Sequence, residues 1–123
     1  MDATFDLAPG EQRAIQARVD EILEHRRARH PETSATAGCF FKNVPDASQP
    51  HGKLAAGKLL EDAGVKGLSV GGASVFDGHA NMIVNTGNAT AKDIRRLADI
   101  MKQRVLDKFG IALQEEVIQI GVF

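Results

Sequence analysis

The sequence predicts a two-layer α+β domain, with helices packed on one face of a mostly antiparallel sheet. Three observations predict it. Apolar residues recur at helical spacing in two long segments, near residues 15–23 and 94–109. Short apolar runs bounded by glycine and proline fill most of the stretch between them. The resulting order, β-α-β-α-β-β-β-α-β, does not alternate regularly enough for a parallel sheet. At 123 residues the chain fits one domain. It reads as a lead-in strand and helix over residues 1–34, followed by the main domain over 35–123.

"ATFDL" (Ala3–Leu7) alternates apolar and polar residues as a short strand does, and Pro9-Gly10 ends it. From Glu11 the period changes. Ile15, Val19, Ile22 and Leu23 fall on one face of a helix running to about Arg29. Its end carries Arg26, Arg27, Arg29 and His30, cations that suit the negative end of the helix dipole, and Pro31 stops it. "ETSATA" (Glu32–Ala37) is a small polar loop and "GCFF" a short buried strand. "KNVPDASQPHG" (Lys42–Gly52) holds two of the four prolines and reads as a turn-rich loop. "KLAAGKLLEDAG" reads as a short helix from Lys53, capped by Gly64. Gly57 inside that helix costs about 1 kcal/mol relative to alanine, so it implies close packing or a close ligand.

Leu68–Gly87 reads as strand, glycine break at Gly71-Gly72, strand, the turn "FDGHAN", and strand. Thr90 and Asp93 form a capping-box pattern at the start of the next helix. Ile94, Leu97, Ala98, Met101, Val105 and Phe109 form its apolar stripe, and Gly110 ends it. "EEVIQIGVF" favours a last strand.

Composition narrows the function classes. Hydrophobic residues are 43% and charged residues 25%, with a net charge of −1 and both signs spread along the chain. That leaves no broad basic field for nucleic acid and no polybasic patch for a membrane surface. No apolar run is long enough to span a bilayer, and the acidic N-terminus lacks a signal-peptide core. A cytoplasmic protein is expected. The single cysteine cannot form an internal disulfide.

That cysteine, Cys39, is the most informative residue. Cysteine is often a small buried hydrophobe, and this is the commoner role. Here Lys42 and Asn43 follow within a few residues, so the strand end can open onto a site where a thiol acts as proton donor or nucleophile. His25, His30, His51 and His79 show no metal-ligand spacing, and no metal site is expected. A Cys39–His79 dyad is possible on inventory alone. "VGGAS" lacks the pattern of a phosphate loop and reads as a bulge between strands. Glu115 and Glu116 point to opposite faces if they lie in a strand, so only one of them can face a given cleft.

The blocks "AGCFFKN", "KLAAGKLLEDAGVKG", "GGASV", "HAN", "NTGNATAKD" and "LQEEVIQIG" occur in the order seen in the C-terminal domain of the UDP-N-acetylenolpyruvoylglucosamine reductases. Nearly the whole chain resembles that region. The resemblance implies a flavoenzyme of peptidoglycan-precursor synthesis. It reduces an enolpyruvyl ether by hydride from reduced flavin and a proton to the adjacent carbon. Cys39 holds the position where the family has a serine or cysteine proton donor. Glu116 matches the glutamate that holds or protonates the substrate carboxylate. Asn43, Lys53 and, more loosely, His79 match substrate-binding positions, and Lys42 belongs to the motif without an assigned contact. FAD and NADPH are expected in the full-length enzyme and none bound to this chain, because the flavin-binding domains that precede this region in the family are missing. An excised domain, inactive alone, is therefore expected. Its partners would be UDP-N-acetylglucosamine enolpyruvate and the flavin-binding domain, with no nucleic acid or membrane. Val44 stands where the family usually has proline, and Pro45 comes one residue late. Two other functions stay open: a stand-alone sugar-nucleotide or protein-binding homologue without catalysis, and a Cys39–His79 thiol enzyme.

Overall fold

The computed structural model describes residues 2–30 and 35–121. The chain divides into two compact units, Met1–His30 and Pro31–Phe123.

The first unit is one helix, α1 (Gln12–Arg29), with an irregular lead-in. Glu11 caps it, its side chain accepting the Ala14 N–H at 2.7 Å. His30 is already extended, while its N–H still reaches the Arg26 carbonyl. Ile15, Val19, Ile22 and Leu23 share a face but remain 42–53% exposed. The strand expected at Ala3–Leu7 does not form. Residues 2–10 carry no strand, and Phe5 and Leu7 are 79% and 88% exposed. Alternation alone cannot make a strand where no second strand takes its hydrogen bonds. Pro31 and the first residues of the expected loop, up to Ser34, lie outside the described residues.

The second unit holds a four-stranded sheet built from β1 (Ala35–Cys39), β4 (Ser69–Val70), β5 (Ala73–Val75) and β6 (Met82–Asn85), in the order β1-β6-β5-β4. Every pair is antiparallel. A separate hairpin pairs β2 (Val44–Pro45) with β3 (Lys53–Leu54). Helix α2 (Ala56–Asp62) packs against α3 (Ala91–Phe109), and α3 packs on β4 and β5. This is the expected α+β class.

Two glycines bring sheet and helix together. A Cβ on Gly72 would lie 2.4 Å from the Ala89 backbone nitrogen. One on Gly71, whose φ is +53°, would lie 2.6 Å from the Asp93 carboxyl. The β4–β5 turn therefore sits directly against the start of α3. There Thr90 and Asp93 form the expected reciprocal capping box. From that start α3 lays Leu97, Ala98, Met101 and Val105 into the core beside Phe41, Leu60 and Val65. Gly110, left-handed at φ +68°, ends it.

Three element boundaries differ from expectation. The strand expected at "GCFF" begins earlier, at Ala35, and ends at Cys39. Lys53 is in β3 rather than α2, because Asn43 accepts the Ala56 N–H and starts the helix there. The last strand is reduced to one bridge, Phe41 to Glu115, and Ile118 and Ile120 are 85% and 88% exposed. Extending that ladder would set it against Cys39 and Gly38, where β1 is bulged out of register. Val122 and Phe123 lie outside the described residues.

Candidate functional site

The bulge in β1 creates the site. Thr36 pairs with Val84 and Cys39 with Met82, so three steps of β1 oppose two of β6. Gly38 absorbs the extra residue at φ +83°, with nothing near its missing side chain. A bulge at a strand end re-aims the following side chain. Beyond it, Phe40 and Phe41 leave the β1–β6 ladder and meet the C-terminal segment. The Glu116 N–H donates to the Phe40 carbonyl at 2.8 Å, and the Lys42 N–H to the Gln114 carbonyl at 2.9 Å.

This pairing brings Cys39 and Glu116 together. With Ala37 and Val117 they line a shallow pocket of about 290 Å³. Partial desolvation, and secondarily the Glu116 carboxylate, raise the Cys39 thiol above its ordinary pKa. The thiol is thus held protonated at neutral pH. That suits a proton donor and opposes a thiolate nucleophile.

The neighbouring Glu115 has a different fate. Its carboxylate takes Lys102 at 3.3 Å and the Gln119 side-chain amide at 2.6 Å. Of the adjacent pair, Glu116 faces Cys39 while Glu115 is tied to α3.

The remaining expected site residues do not converge on that pocket. Lys42 and Asn43 line a second cavity of about 230 Å³ with Val44, Pro45, Ala112 and Gln114. The Asn43 side-chain oxygen accepts the Ala56 N–H at 3.0 Å, so half of its amide already has a structural task. Lys53 pairs across the hairpin with Pro45, which lines this cavity. His79 packs against α2. A Cβ on Gly57 would lie 3.0 Å from its Cε1, which makes Gly57 a packing glycine. His79 Nδ1 accepts the Asn81 N–H at 3.2 Å. That bond occupies the nitrogen's lone pair, and His79 is not among the causes of the Cys39 shift. The Cys39–His79 dyad is not supported.

The sequence assigns Asn81 no role beyond its place in the "HAN" block. It is 3% exposed, the one buried polar side chain among the described residues. Its Oδ1 accepts the Phe41 N–H at 2.9 Å and its Nδ2 donates to the Phe41 carbonyl at 2.8 Å. Its own carbonyl accepts the Phe40 N–H at 2.8 Å. Its signals in the sequence are that block and an amide placed between a turn and an apolar strand.

Residues 30–120 match the family model described as UDP-N-acetylenolpyruvoylglucosamine reductase, C-terminal domain. The chain belongs to that family. Among similar proteins, the UDP-N-acetylenolpyruvoylglucosamine reductase of Desulfosudis oleivorans is 45% identical over 108 residues, covering 88% of this chain and 33% of the relative. That of a Bradyrhizobium species is 45% identical over 118 residues, covering 96% and 36%. The crystal structure of the Thermus caldophilus reductase superposes with a TM-score of 0.59 at 34% identity, covering 90% of this chain and 36% of that one. The chain thus spans about a third of the length of the reductases it matches.

The Cys39 pocket is shallow, and the Gly71-Gly72 pair is filled by Asp93, Asn88 and Ala89. Among the described residues no group of three or more His, Cys, Asp and Glu is placed to hold a metal ion. No helix among them is long and apolar enough to cross a membrane.

Proposed function

We propose that this chain is the substrate-binding and proton-delivering portion of a UDP-N-acetylenolpyruvoylglucosamine reductase. The full enzyme would use FAD and NADPH in the cytoplasm and act on UDP-N-acetylglucosamine enolpyruvate. One observation carries the reading: a thiol kept protonated beside a carboxylate, in one open pocket. Reduction of an enol ether adds a hydride to one carbon and a proton to its neighbour. This chain supplies the proton half. The reductant and its cofactors belong to the flavin-binding part of the longer reductases, which is this chain's partner.

Cys39 delivers its Sγ proton to the carbon next to the substrate carboxylate, and a thiol is acidic enough to do so at a fixed strand end. Glu116 meets that carboxylate. Lys42 and Asn43 line the neighbouring cavity, and Lys53 stands opposite its Pro45 in the β2–β3 hairpin. Point charges and amide donors of this kind suit a diphosphate. His79, a looser match to the family's substrate-binding positions, is a further candidate contact.

The test is a titration of the enolpyruvyl UDP-sugar into isotope-labelled chain, followed by backbone amide shifts. Saturable shifts at Cys39–Asn43, Lys53 and Glu116 are expected. A spectrum unchanged at millimolar ligand would remove the claim that this chain holds a preformed site.

A further inference from the structure

We propose that Asn81 is the positioning residue of this site, clamping the Phe40–Phe41 backbone so that Cys39 and Glu116 are held on one pocket. The proposal rests on the reading of Cys39 and Glu116 given above.

Phe40 and Phe41 together offer four backbone polar groups at the point where the chain leaves β1. Asn81 takes three of them. Its carbonyl accepts the Phe40 N–H at 2.8 Å, its side-chain oxygen the Phe41 N–H at 2.9 Å, and its side-chain nitrogen donates to the Phe41 carbonyl at 2.8 Å. The fourth, the Phe40 carbonyl, accepts the Glu116 N–H at 2.8 Å. The segment between the thiol and the carboxylate is therefore fixed from both sides.

The reason for a side chain here is geometric. Strand β6 begins only at Met82, and before it the backbone is folded into the turn from Phe76. A ladder partner for Phe41 is missing on that flank. Asn81 replaces it, because a primary amide carries a donor and an acceptor side by side as a strand edge does. Leucine fills a similar volume and offers neither, and aspartate keeps only the acceptor when ionised. The Asn81 N–H is itself anchored on His79 Nδ1, so the clamp is held from behind.

A residue that only stabilised the fold would change stability and leave the thiol–carboxylate relation intact. A positioning residue changes that relation in a chain that is still folded. Cys39 is the single cysteine, so its alkylation by iodoacetamide reads the site directly, since the thiolate is the reacting form. The experiment compares alkylation rates near neutral pH in the unaltered chain, Glu116→Gln, Asn81→Leu and the double variant. Removing the Glu116 charge should speed alkylation about twofold or more. In the Asn81→Leu background the same change should have no effect, with the folded amide spectrum retained. A folded Asn81→Leu chain that keeps the full ratio overturns the proposal alone. A ratio of one in the unaltered background removes the shared site, and the proposal falls with it. If Asn81→Leu does not fold, Asn81→Asp decides: an intermediate ratio supports the clamp, and a full ratio overturns it.

Discussion

Glu116 is held one residue from Cys39 by a backbone hydrogen bond from its N–H to the Phe40 carbonyl at 2.8 Å. The two residues are far apart in the chain, and this bond makes them neighbours across one pocket.

The first consequence concerns the thiol. Its pKa is raised, first by desolvation and then by Glu116. A raised thiol pKa leaves the folded chain holding a proton that the unfolded chain has lost. Stability is therefore unaffected below the unfolded thiol pKa and falls as pH rises from that value to the folded one. Denaturant midpoints of the unaltered chain and Cys39→Ser should coincide in shape at neutral pH and diverge in this alkaline window. A Cys39 variant with the same alkaline slope would contradict the shift.

Turnover gives the second. In the full-length reductase carrying these residues, Cys39→Ala should lower kcat by about 10²–10⁴, the range for loss of a general acid. Cys39→Ser should recover part of it. Steady-state reduction of the enolpyruvyl sugar measures both. A Cys39→Ala enzyme with unchanged kcat would place the proton donor elsewhere.

Asn43 has a structural task that can be separated from binding. Its side-chain oxygen takes the Ala56 N–H at the start of α2. Asn43→Ala should destabilise the fold by about 1 kcal/mol, the usual size of a lost cap. Asn43→Asp keeps the acceptor and should restore most of the loss in urea unfolding, while lacking the amide donors proposed for the diphosphate. Equal stability of all three would show that the cap bond does not matter.

At Gly72 the obstacle is backbone. A Cβ there would stand 2.4 Å from the Ala89 nitrogen, so the β4–β5 turn and the start of α3 would have to separate. Gly72→Ala should cost more than about 2 kcal/mol. Gly67→Ala is the control: its φ is +79° but its surroundings are open, so only the backbone penalty of about 1–2 kcal/mol applies. Thermal unfolding that ranks Gly67→Ala as the more harmful would refute the packing argument.

The capping box predicts an acid dependence. The Thr90 N–H, then its hydroxyl, hold the Asp93 carboxyl below the usual carboxylate range. A lowered pKa gives stability that is complete above the unfolded value and disappears as pH falls through the folded one. Asp93→Asn should flatten that acid limb in a series of melts from neutral to strongly acidic pH. An acid limb of unchanged slope would mean the box is not formed in solution.

The sequence alone determined what local forces control. Thr90, Asp93 and Gly110 define α3, because caps are satisfied within one turn of chain. The stripe from Leu97 to Val105 named the core face, and short apolar runs between glycines named an antiparallel sheet. Cys39 and Glu116 stood out through family motifs, and the chain does belong to that family. Tertiary structure alone decided the rest. Ala3–Leu7 and the last residues have strand-like patterns, yet a strand exists only where a partner accepts its hydrogen bonds. Lys53 moved from helix to hairpin because a side chain ten residues earlier, Asn43, fixed where α2 begins. The pairing of Phe40–Lys42 with Gln114–Glu116, and the Asn81 amide that fixes it, are contacts between distant segments. No local propensity encodes them, because their partners meet only once the core has closed.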